Sequence, residues 1–170
     1  DDEPFIRESE SNLKGAKSDS AICSIALKLC DIYIRNGNTE KAKYYFGLAQ
    51  KKTANNQRLA AHTQFFKANM HLLEHDIKAY EQDLTVAGKR LSRFNDSSSL
   101  VLRATVWKNL SILAQIHSDN QLASDLLINK AIPLALRSKN AELIANMYKS
   151  IAILFMNEQN NTKAAKYLEK

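Results

Sequence analysis

Residues 71–75 read His-Leu-Leu-Glu-His, the one stretch of this chain with the spacing of metal ligands. On a continuous helix, His71 and His75 would stand one turn apart and could grip a zinc ion, with Glu74 as general base toward a metal-bound water. Such a centre needs a further ligand, and no second element that would supply one is legible. Two surface histidines beside a turn is the reading adopted. His62 and His117 stand alone and suit a groove or a surface. Cys23 and Cys30 lie seven residues apart within one predicted helix. Their Cα atoms would be roughly 10 Å apart at the helical rise, beyond the reach of about 7 Å that a disulfide allows. They read as two small apolar side chains on one stripe.

The five letters also match H-x-x-E-H, the inverted zinc-protease motif, without that family's downstream glutamate. No G-x-S-x-G, phosphate-binding loop or dinucleotide glycine fingerprint occurs. Four glycines in 170 residues leave little material for a phosphate cradle. The chain is read as a non-enzyme that uses no cofactor and no metal. A zinc hydrolase at residues 71–75 stands as the enzymatic rival.

The elements that position these residues are helices. Four Gly and two Pro are too few for a β-rich domain of this length, and Ala, Leu, Lys, Gln and Glu are abundant. The formal charge of +6 is uneven. Residues 1–10 hold five acids and one base, so the other 160 residues carry 23 bases and 13 acids. An excess of that size attracts anions without selectivity. The bases are scattered at helical spacing rather than massed, so they read as solvated helix faces. The longest apolar run, residues 151–156, is far too short to span a bilayer. The chain does not begin with Met and ends in mid-helix, which suits a segment of a longer protein; membrane attachment would come only through a flanking segment.

Ile22, Ile25, Ala26, Leu29, Cys30 and Tyr33 form one apolar helical face. Gly37 can close that helix in the left-handed conformation, and Asn38 or Thr39 can cap the next. The second helix, about 40–52, turns Ala42, Tyr45, Phe46 and Ala49 to one side. The expectation is an antiparallel hairpin. "NTEKAKYY" (38–45) returns as "NTKAAKYL" (161–168), starting 123 residues later, or three periods of 41.

Leu29, Cys30 and Tyr33 followed by Ala42 and Phe46 make the first hairpin resemble the tetratricopeptide repeat, with its L-G-x2-Y and A-x3-F pattern. Trp107, Leu110 and Ser111, then Ala123 and Leu127, fit the third unit. In the fourth, Ile153 and Met156 are assigned the small and Tyr places, Asn160 the turn Gly, and Ala165 the start of the second helix. Ala79 or Tyr80 is the second unit's anchor. The resemblance implies an all-α, right-handed superhelical solenoid of about four hairpins. A single domain over 1–170 is expected, with a cap helix at about 6–17 and repeats at about 20–54, 57–94, 99–138 and 141–170. Pro133 should kink the second helix of unit three near Asn129.

In such arrays the first helices line a concave groove that takes an extended peptide or a partner's helix. Arg35, His62, Phe65, Asn69, Lys108, Ile112, Gln115, Ser150 and Asn157 are the groove candidates. The partner implied is a protein or peptide, with no small-molecule cofactor. The period near 40 is similar to the helical-repeat sensor regions of bacterial histidine kinases and transcriptional regulators, which implies signal transduction at the extracytoplasmic face of a bacterial membrane, with the cytoplasm as alternative. A nucleic-acid-associated helical repeat using the basic surface is the rival reading.

Overall fold

The computed structural model describes residues 2–53 and 55–170. Among them are nine helices and no strand. They are α1 (Glu3–Gly15), α2 (Asp19–Arg35), α3 (Thr39–Lys51), α4 (Gln57–Leu73), α5 (Ile77–Leu91), α6 (Ser97–Ile116), α7, α8 (Ala141–Asn157) and α9 (Asn161–Leu168). Helix α7 runs Asn120–Leu126, passes through a π-helical stretch, Leu127–Ala131, and resumes as Ile132–Ser138. The chain forms two compact units, Asp1–Ala87 and Gly88–Lys170, with the boundary inside α5. Packing is largely between chain neighbours. In the first unit α1 meets α2, α2 meets α3, and α4 meets both α2 and α3; in the second, α6 meets α7, α7 meets α8, and α8 meets α9 and α6.

Four of the helix–helix turns share one geometry. Gly37, His75, Ser118 and Gln159 are left-handed, with φ of 69°, 60°, 63° and 59°. The next residue's amide in each turn reaches back five residues: Asn38 to the Tyr33 carbonyl, Asp76 to His71, Asp119 to Ala114, and Asn160 to Phe155, all at 2.8–2.9 Å. That same residue caps the following helix. Asn38, Asp76, Asp119 and Asn160 accept from the amides of Lys41, Ala79, Leu122 and Lys163. One C-terminal motif therefore runs straight into one N-terminal cap, four times over. Gln159, not Asn160, holds the left-handed place in the last turn; Asn160 is the cap.

These turns set the true register. Their left-handed residues stand 38, 43 and 41 residues apart, so the first and fourth hairpins are offset by 122 residues rather than 123. Seven residues before each one lies a small buried side chain: Cys30, Ala68, Ser111 and Ala152, all 0% exposed. Five residues after it lie Ala42, Tyr80, Ala123 and Ala164, each buried. The last hairpin thus uses Ala152, Phe155 and Ala164, while Ile153, Met156 and Ala165 face outward. Laid in the 123 offset, the similar letters at residues 38–45 and 161–168 set buried Ala42 against exposed Ala165 and exposed Lys41 against buried Ala164. Burial selects the other offset, because a one-residue shift turns a helical face by about 100°.

Hairpins one and four consequently share an internal contact. Tyr33 stacks on Tyr45 with centroids 5.6 Å apart, and Phe155 stacks on Tyr167 at 5.7 Å. The ammonium of Lys41 sits over the Tyr33 ring and that of Lys163 over the Phe155 ring. In the third hairpin, buried Ala123 is followed by buried Ala131 eight residues on, where the first two hairpins use seven (Ala42 and Ala49, Tyr80 and Ala87). The π-helical stretch absorbs that extra residue. It contains Asn129, whose carbonyl would have met the missing N–H of Pro133; the expectation at that place is a kink, and the structure has a π stretch there.

In the second unit the core joins Leu127, Ala131 and Ile132 of α7 to Met147, Ile151 and Phe155 of α8. Gly88 leaves bare backbone beside α6: a Cβ there would stand 3.2 Å from a Val106 methyl.

Candidate functional site

Helix α4 ends at Leu73, and His75 is the left-handed turn residue. His71 and His75 therefore do not share a helical face, and the zinc geometry does not form. His71 instead places Nε2 3.2 Å from Asp83 Oδ2 on α5. These two residues occupy the register of the stacked Tyr33 and Tyr45, so a histidine–carboxylate pair replaces an aromatic pair. Asp83 also receives Lys67 Nζ at 3.0 Å and the Gln64 amide at 3.0 Å. Glu74 pairs with Lys43, whose ammonium holds that carboxyl below the usual range. Every group in this cluster is already engaged by a neighbour, and no group of three or more His, Cys, Asp or Glu side chains among the described residues is placed to hold a metal.

Cys23 and Cys30 are free and buried, and desolvation raises both thiols, Cys30 to about 12. Nucleophilic chemistry has no support there, because a thiol held in its protonated form is a poor nucleophile.

The nine groove candidates fall at a few positions of the shared register. Asn69 and Ile112 lie six residues before their left-handed residue, Arg35 and Asn157 two before, and Phe65 and Lys108 ten before. Helical geometry puts Arg35, His62, Asn69, Ile112, Ser150 and Asn157 about 100° or more round the helix from the small buried position, whereas Phe65, Lys108 and Gln115 stand three or four residues from it and lie nearer. Four belong to the first unit and five to the second.

Exposure separates them. Arg35, Ile112 and Asn157 are exposed; Asn69, Lys108, Gln115 and Ser150 are half-buried. His62 and Phe65 are buried, 7% and 4% exposed, with Phe65 edge-on to Phe66 at 5.3 Å. Both are packing residues here rather than surface ones, because α4 carries buried side chains on more than one side. Arg35 is tied to Asp31 at 3.3 Å. Burial raises the Asp31 carboxyl, and the Arg35 guanidinium opposes that shift. Ser150 turns its hydroxyl back onto the Asn146 carbonyl at 2.8 Å.

The structure adds residues that sequence reasoning passed over. Ile116 (65% exposed), Ile153 (44%) and Met156 (53%) join Ile112 (44%) on the outward sides of α6 and α8, two helices that pack together. Ile112 and Ile153 are register equivalents with equal exposure. Ile153 and Met156 look like core in a reading shifted by one residue; the left-handed turn at Gln159 is the signal that would have placed them. No helix among the described residues is long and apolar enough to cross a membrane. No family model, curated protein or solved structure matches the chain.

Proposed function

We propose that this chain is a tetratricopeptide-like solenoid of four hairpins that binds a protein or peptide through the outward side of its first helices, as the sensor or regulatory region of a bacterial signalling protein. The observation that carries the reading is the shared register: four hairpins share one turn geometry and one small, fully buried position on the first helix. A repeat of that kind is a device for presenting a surface. On α6 and α8 that surface is apolar at its centre, which favours a protein partner. The steps of 38–43 residues support the likeness to bacterial sensor arrays.

Selection of binders from a random peptide library tests the reading. Enriched peptides should lose binding when Ile112 or Asn157 is replaced by Asp, and should keep it when Lys130, exposed on a second helix, is reversed in charge. Absence of enriched peptides, or indifference to the first set, removes it. The basic body keeps a nucleic-acid reading open to the same kind of test. A log–log salt slope near zero for DNA and RNA binding excludes it, and a steep slope favours it over the peptide reading.

A further inference from the structure

We propose that the outward side of α6 and α8 docks an acidic amphipathic helix of a partner protein, its apolar stripe on Ile112, Ile116, Ile153 and Met156 and its carboxylates toward Lys108 and Lys149. The inference rests on the scaffold reading above and names the occupant of that surface. Four large apolar side chains, 44–65% exposed, lie on two adjacent helices of one compact unit. Helix α6 contains no acid in its 20 residues. Its two bases are Arg103, whose guanidinium is spent on the Phe94 carbonyl and the Asn95 side chain, and Lys108. Helix α8 has Lys149 and a single acid, Glu142, in its first turn.

Lys108 and Lys149 sit at the same register, ten residues before the left-handed residue, and neither enters an ion pair among the described residues. An apolar centre with two equivalent cations at one end is complementary to a partner with an apolar stripe and flanking carboxylates. No strand edge exists among the described residues to receive an extended strand, and ridges spaced by three and four residues suit another helix. Nucleic acid would leave the four apolar side chains without partners. The chain's own α1 is acidic and amphipathic, yet Glu10 accepts from Tyr33 and Tyr45 of its own hairpin. A second copy would have to give up those bonds to supply it.

The test titrates the full chain with a synthetic helical peptide of about five turns, Leu at i, i+3, i+4 and i+7 and Glu on the opposite side. Binding is read by calorimetry and by the fluorescence of Trp107 on α6. One peptide should bind per chain, and a Lys-for-Glu peptide and a diproline peptide should each bind about tenfold more weakly or worse. Ile112→Asp with Ile153→Asp should weaken the Glu peptide by about tenfold or more, and Lys108→Glu with Lys149→Glu should reverse the preference toward the Lys peptide. All four positions are at least partly exposed, so circular dichroism should show the fold unchanged.

Equal binding of the Glu and Lys peptides overturns the proposal, as does indifference to both double variants. A diproline peptide that binds as well as its parent overturns the helical occupant. Self-association in light scattering that is lost with Ile112→Asp and Ile153→Asp assigns the face to a second copy and overturns the partner. Library peptides that depend on the face but lack helical or acidic character would leave the scaffold reading standing while this occupant falls.

Discussion

The Ser111 hydroxyl donates a 2.9 Å hydrogen bond to the backbone carbonyl of Ala123. It joins the small-residue position of α6 to that of α7, and both residues are fully buried. The Ala123 carbonyl also receives the Leu127 amide, so the serine is a second donor to a group already satisfied. Ser111→Ala should therefore cost only about 1 kcal/mol. Ser111→Leu must force extra volume between the helices and should cost about 1–3 kcal/mol. Urea unfolding of the two variants, compared with Ala152→Leu at the equivalent position, checks the order. A harmless leucine would show that the helices do not approach closely there.

His75, Ser118 and Gln159 adopt a backbone conformation that costs an L-residue about 1–2 kcal/mol. Glycine relieves that strain while losing part of the gain to chain entropy. His75→Gly, Ser118→Gly and Gln159→Gly should each raise stability by about 0.5–1 kcal/mol, and Gly37→Ala should lower it by a similar amount. Thermal unfolding midpoints read all four, and a fall in the first three would contradict the shared turn.

Helix α1 is anchored through Glu10, which accepts from Tyr45 at 2.9 Å and from Tyr33 at 3.3 Å. Burial and then the Glu10 carboxylate raise the Tyr45 phenol well above its ordinary value. The unfolded chain releases this proton near pH 10 while the fold retains it. The contribution is present below about pH 10 and is lost progressively as pH rises above it. Tyr45→Phe should flatten the alkaline decline in unfolding free energy. Glu10→Gln at neutral pH should cost about 1–2 kcal/mol, since it removes a charged acceptor.

Cys23 and Cys30 should both be silent toward Ellman's reagent in the native chain, because both thiols are buried and raised. Two equivalents should react in guanidinium. Labelling in buffer would indicate that the α2 packing opens.

Helix positions were legible from local chemistry. Apolar spacing and Asn, Asp or Ser caps place α2, α3 and α4 within about two residues of their observed ends, whereas α9 starts at Asn161, four residues before the Ala165 assigned to its start, and the capping side chains each engage an amide three residues on. The exposure of the groove candidates was legible in part. Arg35, Ile112 and Asn157 are exposed as the pattern suggests, whereas His62 and Phe65 are not. Their helix has apolar residues on several sides, and periodicity alone does not say which side meets a neighbour.

The chain alone carried what depends on neighbours within a turn or two: helix type, caps, breaks, and a disturbed ladder before Pro133. Tertiary packing decided what depends on contacts between helices. It chose the 122-residue register over the more similar letters at 123, buried Ala152 and Phe155 in place of Ile153 and Met156, and left an apolar face open on α6 and α8. Burial is a property of what a side chain meets across space, and a shift of one residue, nearly invisible in the letters, turns every side chain of a helix toward a different neighbour.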